Sequence, residues 1–517
     1  MRGIKFFRFV FYCLFLTLHA SLFTLHAEKL VIYHTNDIHG YISPREASFH
    51  KENPKRLIGG FAVLAQIVRQ EKGPYLLLDS GDLFFGSPEG NLTNGEGVLE
   101  AANALGYDAV AVGNHEFDFG EKRLLALSKK LKAPLLAANI MKRYVKKEEP
   151  SRPEYATPYI IKEKEGVKVG IIGLITQNTP VLTLPRHVRR LKFLRPVNSA
   201  KELAGRLRRE EECDLIILLT HIGFAKEGED FEDDRYLARQ VPGIDLILGG
   251  HSHTRLTSAY QEPKNKTIIV QSGSYLSALD KLELTLDPKT KKIKKFEHRL
   301  IDLWVDEIGQ DPKILRLIEP YKNKVNQQLS RVIGRTQGEL SHARGEDSIL
   351  GNLIADAMKE QAQADIAMHN TGGIRSAIPV GEISLRHLYT AFPFDNTVVV
   401  LELTGGQIKE ILENSLTEQK KRMYVSGLSL RYRSSRPKGH RIADISIGGK
   451  PLLVTKNYTV ATNSFLAEGG DGYPTFLRAS RKDDLGVLVR DAASQWIAKR
   501  SPLNPKSETR LIDLRGN

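Results

Sequence analysis

The run Lys29-Leu-Val-Ile-Tyr33, followed at once by His34-Thr-Asn-Asp37-Ile-His39-Gly40, sets the theme of the first half of the chain. A short apolar run without strict alternation suits a strand buried on both faces, and this one leads directly into groups that bind metals. The phrase recurs. Tyr75-Leu-Leu-Leu78 leads into Asp79-Ser-Gly-Asp82, and Ala109-Val-Ala-Val112 into Gly113-Asn114-His115-Glu116-Phe-Asp118. Asp214-Leu-Ile-Ile-Leu-Leu219 leads into Thr220-His221, and Ile244-Asp-Leu-Ile-Leu248 into Gly249-Gly250-His251-Ser252-His253-Thr254. Similar runs begin at Val167 and Thr267, and stretches of helical character separate them all. The pattern predicts an α/β domain with helices covering the sheets, and it gathers polar groups where strands end, the edge at which open α/β sheets place their sites.

One such ending alone is a common turn or cap, but five in succession point to a metal centre. Imidazole nitrogens mixed with carboxylate oxygens suit Zn, Mn, Co or Fe better than Mg or Ca, which prefer shells of oxygen. The candidates exceed the needs of one ion; two divalent ions about 3.5–4 Å apart with a shared carboxylate would use them. Two dications against Asp37 and Asp82 leave a positive centre, suited to a phosphate dianion and able to lower the pKa of water.

The 517 residues carry a net charge of +14, with 41% hydrophobic and 26% charged residues, a globular composition long enough for two or three domains. Two cysteines exclude a disulfide scaffold. Arg2, Lys5 and Arg8 precede an apolar run from Phe9 to Leu18, and Ala20 and Ala27 follow it, the layout of a signal peptide at 1–27. The run falls short of the ~18–20 apolar residues of a spanning helix, so no membrane span is expected after cleavage. Cleavage takes the charge from +14 to +11 and leaves Cys213 as the only thiol. Short, scattered Lys and Arg clusters favour solvated surface over a nucleic-acid face, so no stable nucleic-acid partner is expected. No apolar tail follows Leu511-Ile-Asp-Leu-Arg-Gly-Asn517, so no C-terminal lipid-anchor signal is expected.

Near residue 300 the texture changes. Asp311-Pro312 reads as an N-cap with Pro at the first helical position, and Ile314, Leu317, Ile318, Tyr321, Val325 and Leu329 recur at helical spacing, with Pro320 inside. This predicts a helix over 311–330 joining two domains. An α+β unit follows, with a helix near Leu350–Gln361 and strands around Thr397–Leu403, Leu428–Tyr432 and Tyr458–Thr462. The domains are accordingly read as 28–305, a linker helix at 306–334, and 335–517.

The series Asp-x-His, Gly-Asp, Gly-Asn-His-Glu, Thr-His and Gly-His-x-His resembles the calcineurin-like metallophosphoesterases. Asn370-Thr-Gly372-Gly-Ile-Arg375, Phe392-Pro-Phe394-Asp-Asn396 and Asn463-Ser-Phe465-Leu-Ala-Glu-Gly-Gly-Asp471-Gly-Tyr473 extend the resemblance to the bacterial periplasmic 5'-nucleotidase family, over nearly the whole mature chain. That family includes UDP-sugar hydrolases and 2',3'-cyclic-nucleotide phosphodiesterases. The resemblance implies a four-layer α/β/β/α metallophosphoesterase domain joined by a helix to a smaller α+β nucleotide-binding domain. It implies a secreted, periplasmic enzyme that hydrolyses nucleoside 5'-phosphates with two divalent metal ions. Asp37, His39 and His253 would hold one ion and Asn114, His221 and His251 the other, with Asp82 bridging. His115 would stabilise the transition state or protonate the leaving oxygen, oriented by Asp118. Several nucleotidases of the family have Gln or Asn where this chain has His253, which leaves the preferred metal open.

In the second half, Phe394 and Phe465 could stack on both faces of a base. Arg375 and Arg344 offer guanidinium forks for phosphate, Asp471 could accept from ribose hydroxyls, Asn370 could face the base, and Gly372 lies in the same motif. The aromatic pair favours a nucleotide over the sulfur substrate of the related thiohydrolase. A non-catalytic binding or adhesion protein would have lost ligand positions, and none is blank. The preferred nucleotide and the oligomeric state are not readable from the sequence.

Overall fold

The computed structural model describes residues 28–47, 50, 52–143, 151–224, 232–343, 347–418 and 422–514. The leader at 1–27 and Arg344 lie outside the described residues. Each apolar run of the first half forms a strand, and alternation along the strands builds the layers. Leu76 and Leu78 point into a core shared with Ile171, Leu215, Leu219 and Leu248, while Leu77 between them points into a helix-covered core with Phe61, Leu64 and Val98. A residue buried on either face is what a continuous apolar run provides.

The first sheet runs Ile293–Asp302, Ala278–Leu286, Glu28–Thr35, Tyr75–Asp79, Ala109–Ala111, Leu135–Leu136. Its last four strands are parallel and its first two add an antiparallel edge. The second runs Tyr260–Gln261, Ile268–Val270, Leu246–Gly249, Leu215–His221, Val167–Ile175, Tyr159–Lys164, parallel in its four middle strands and antiparallel at both edges. The two sheets face each other across the shared leucine-rich core, and helices cover the outer face of each. This is the expected α/β/β/α arrangement. Parallel order brings the C-terminal ends of four strands in each sheet to the same edge, where the ligand segments begin.

The linker helix spans Pro312–Leu329, with the Asp311 side chain accepting from the N–H groups of Lys313 and Ile314. Ile314 and Ile318 bury into the first core, and the helix continues through Pro320. Beyond it lies a smaller α+β unit. A five-stranded sheet, ordered Met423–Ser426, Ile366–Asn370, Asn457–Asn463, Thr397–Thr404, Arg481–Leu488, stands beside a four-stranded one containing Leu428–Tyr432. The helix Ile349–Ala362 packs in one of its two cores. Cys213 is a buried free thiol. Among the described residues no helix is long and apolar enough to cross a membrane.

Candidate metal centre

Asp37 and His39 follow the first strand, Asp82 the second, Asn114 the third, His221 ends the fourth, and His251 and His253 follow the fifth. The loops that carry them are tight. Asp37, His39, Asp82, His251 and His253 all have positive φ, between 51° and 78°, a region that Asp and His tolerate better than bulkier side chains. Strain of this kind persists where the surroundings over-determine it. Two glycines allow the loops to close on each other. A Cβ on Gly113 would lie 2.3 Å from Asp82 Oδ1, and one on Gly250 would lie 2.9 Å from the Ser80 carbonyl.

The structure brings five of the seven expected ligands together in two groups, Asp37 with His39 and His253, and Asp37 with Asp82 and His221; Asn114 and His251 are in neither group. Asp37 Oδ1 stands 3.2 Å from His253 Nε2 and 3.8 Å from His39 Nε2. Asp82 Oδ2 stands 3.0 Å from His221 Nε2 and 3.7 Å from His39 Nε2. Both carboxylates therefore lie between imidazoles of the two groups, where the family resemblance gives the shared position to Asp82 alone. His251 packs its ring 5.1 Å from that of His221 and donates its backbone N–H to Asp37.

The donor set fits divalent cations. His39 and His221 direct Nδ1 at the carbonyls of Phe85 and Ser80, at 2.9 and 2.7 Å, which fixes each ring and leaves Nε2 for a metal. His39 Nε2 then faces His253 Nε2 at 3.1 Å. Asn114 Oδ1 is buried without a hydrogen-bond partner, and buried polar atoms are seldom left so unless something else satisfies them. Electrostatics agree. Burial holds His39 well below the usual imidazole pKa, and burial followed by the neighbouring His221 pulls His251 down to about 3. Burial opposes protonation of His221 as well, but Asp82 and then Asp37 push it up to about 10; a cation there displaces that proton.

His115 is set beside the group rather than in it. Its Nδ1 meets Asp118 Oδ2 at 2.8 Å, and its backbone N–H donates to Asp82 Oδ1 at 2.8 Å. Burial lowers its pKa, yet the charges of Asp118 and Asp82 outweigh that and raise it above the usual imidazole value. Glu116, given no role by the sequence pattern, accepts backbone N–H groups from Asp82, Leu83, Phe84 and Gly113. It locks the second and third ligand loops together. Its place in Gly-Asn-His-Glu was the available signal, but only the fold reveals the four amides.

The second half reaches this centre directly. Phe394 stacks on His115 at 5.5 Å between ring centroids, Arg375 Nη2 stands 3.1 Å from His115 Nε2, and the guanidinium lies 5.2 Å over the Phe394 ring. Asn370 donates to Asp471 at 2.7 Å and accepts from Asn463 at 2.9 Å, with Gly372 alongside. Phe465 is 9% exposed and lies against Gly470, where a Cβ would come within 2.5 Å of the ring. It packs in a core of the second half with Leu466, Tyr473 and Phe476.

Residues 30–255 match the family model described as calcineurin-like phosphoesterase, and residues 329–478 match the 5'-nucleotidase C-terminal domain. The chain is 30% identical to Protein UshA of Escherichia coli over 532 residues, covering 93% of this chain and 94% of that one. It is 32% identical over 533 residues to the trifunctional nucleotide phosphoesterase protein YfkN of Bacillus subtilis, covering 94% of this chain but only 35% of that longer relative. The crystal structure of a 5'-nucleotidase precursor from Thermus thermophilus superposes with a TM-score of 0.84 at 29% identity, over 95% of this chain and 100% of that one.

Proposed function

The chain belongs to the 5'-nucleotidase family, in which a calcineurin-like metallophosphoesterase domain is followed by a C-terminal 5'-nucleotidase domain, and from that membership we propose that it hydrolyses nucleoside 5'-phosphates to nucleoside and phosphate. The observation that carries this reading is the meeting of the two halves at His115, where Arg375 and Phe394 reach the carboxylate and imidazole cluster.

Asp37, His39 and His253 would hold one cation, and Asn114, His221 and His251 the other, with Asp82 shared. Bound there, divalent cations supply Lewis acidity that offsets phosphate charge and lowers the pKa of water. The protein's own groups do the rest. Arg375 offers planar N–H donors to the phosphate, and Phe394 and Phe465 offer faces for the base. Asn370 and Asp471, already hydrogen-bonded to each other, present polar atoms to base and ribose. Asp118 and Asp82 favour the protonated ring of His115, and once Arg375, which donates to Nε2 in this structure, has turned to the phosphate, Nε2 can carry a proton to the leaving ribose oxygen.

Hydrolysis of AMP, UDP-glucose, 2',3'-cyclic AMP and ATP, followed by chromatography of the products so that monoesters as well as free phosphate are counted, with metal analysis of the same sample, tests the substrate. The expected result is highest kcat/KM on AMP with two metals per chain. Preference for UDP-glucose or the cyclic nucleotide would move the assignment to those branches of the family, and no hydrolysis of any would reject it. Export by the leader at 1–27 accompanies this reading and is checked by N-terminal sequencing of the secreted protein.

A further inference from the structure

Beneath the ligand loops runs a polar chain that the proposed reaction leaves without a role. His34, Ser80 and Asp280 are each fully buried. His34 and Asp280 are direct partners across the antiparallel pair Glu28–Thr35 and Ala278–Leu286, and Ser80 follows the strand on the other side of His34. Asp280 stands in line with Leu282, Leu284 and Leu286, which belong to the core between the two sheets. A carboxylate is costly there unless every oxygen is matched. Both are: Oδ2 lies 2.8 Å from His34 Nδ1 and Oδ1 lies 2.9 Å from His298 Nε2.

The direction of the chain follows from counting hydrogens. The Ser80 hydroxyl has one, given to the Leu248 carbonyl of the second sheet at 2.6 Å. The 2.9 Å contact between His34 Nε2 and Ser80 Oγ must therefore be an N–H donated to the hydroxyl. Ser80 in turn accepts His221 Nδ1–H on its carbonyl at 2.7 Å. An unbroken series thus joins His298, Asp280, His34, Ser80 and His221.

We propose that Asp280 is a positioning residue for the metal ligand His221: through His34 it pins Ser80 to the second sheet, and the pinned carbonyl holds the His221 ring with Nε2 turned toward the metal. The proposal rests on the dinuclear reading of the site. Groups that orient a ligating imidazole are worth about 10–100-fold in metal affinity.

The test titrates the full chain, stripped of metal, with Co²⁺, read by visible absorption and by competition with a chelator. Asp280→Leu, which matches the leucines beside it, and Ser80→Ala, which deletes one atom, should each weaken one of two Co²⁺ sites by about 10–100-fold and shift its absorption band. Circular dichroism should be unchanged. The double variant should lose no more than the larger single loss, because two breaks in one chain do not add. Wild-type Co²⁺ affinity in a folded variant, or additive losses in the double, overturns the proposal. If Asp280→Leu does not fold, Ser80→Ala decides alone. Wild-type uptake of fewer than two Co²⁺ ions contradicts the dinuclear reading itself, and the proposal with it.

Discussion

At the scale of single residues, the proposed reaction separates groups that would hold metal from a group that would move a proton. His115 has Nδ1 committed to Asp118 and Nε2 facing Arg375, and is not in either ligand group. His115→Asn should therefore retain the metals and lower kcat by ~10²–10⁴, the usual contribution of a positioned acid; metal analysis and steady-state rates check both halves of that statement. The pH dependence follows. The acid works while protonated, so activity is present below its raised pKa and is lost as pH rises through it. Asp118→Asn removes the charge that does most to hold the proton against burial, so the alkaline limb of kcat/KM should move to lower pH, and an unmoved limb would assign that limb to another group. The ligand types were legible in the sequence because Asp, Asn and His stood at the end of each apolar run. Glu116 was not, since its partners include backbone amides of the Asp82 loop, more than 30 residues away along the chain, that only tertiary packing brings to it.

At the scale of elements, strands were the most readable feature. Leu428–Tyr432 is found as read, Leu215–His221 within two residues, and the helix at 311–330 appears as Pro312–Leu329 with Asp311 as its cap. The sequence did not announce the edge strands. Ile293–Asp302 and Tyr159–Lys164 mix lysine and glutamate with apolar residues, because edge strands face solvent on one side, and that removes the continuous apolar run. Loop conformation was also hidden, although it decides the geometry of the centre. Gly113→Ala tests this directly: with only 2.3 Å between the new Cβ and Asp82 Oδ1, the Asp82 loop must shift, and the purified variant should lose bound metal while its circular dichroism spectrum is kept. Full metal content in that variant would show that the loops have room to spare.

At the scale of the whole molecule, the proposed reaction depends on two halves meeting. Besides the contacts at His115, Arg386 of the second half donates to Glu89 of the first at 2.7 Å and also to Asn326 of the linker helix at 2.6 Å, while Arg186 pairs with Glu468 across the same divide. None of these pairs has a local signature, since the closest in sequence, Arg386 with Asn326, is 60 positions apart. Phe465 belongs wholly to the second half, so Phe465→Ala should weaken use of AMP by ~1–3 kcal/mol yet leave hydrolysis of p-nitrophenyl phosphate almost unchanged; equal losses would make the ring structural. The central claim, a nucleotide phosphohydrolase that works through two cations at the shared edge of the sheets, is tested most directly by restoring metal to the chelator-stripped protein in measured equivalents while following phosphate release from AMP. The account predicts no release without metal and a rate that rises until two equivalents per chain are bound. Undiminished release by the metal-free protein, or a rate that saturates at one equivalent, would contradict it.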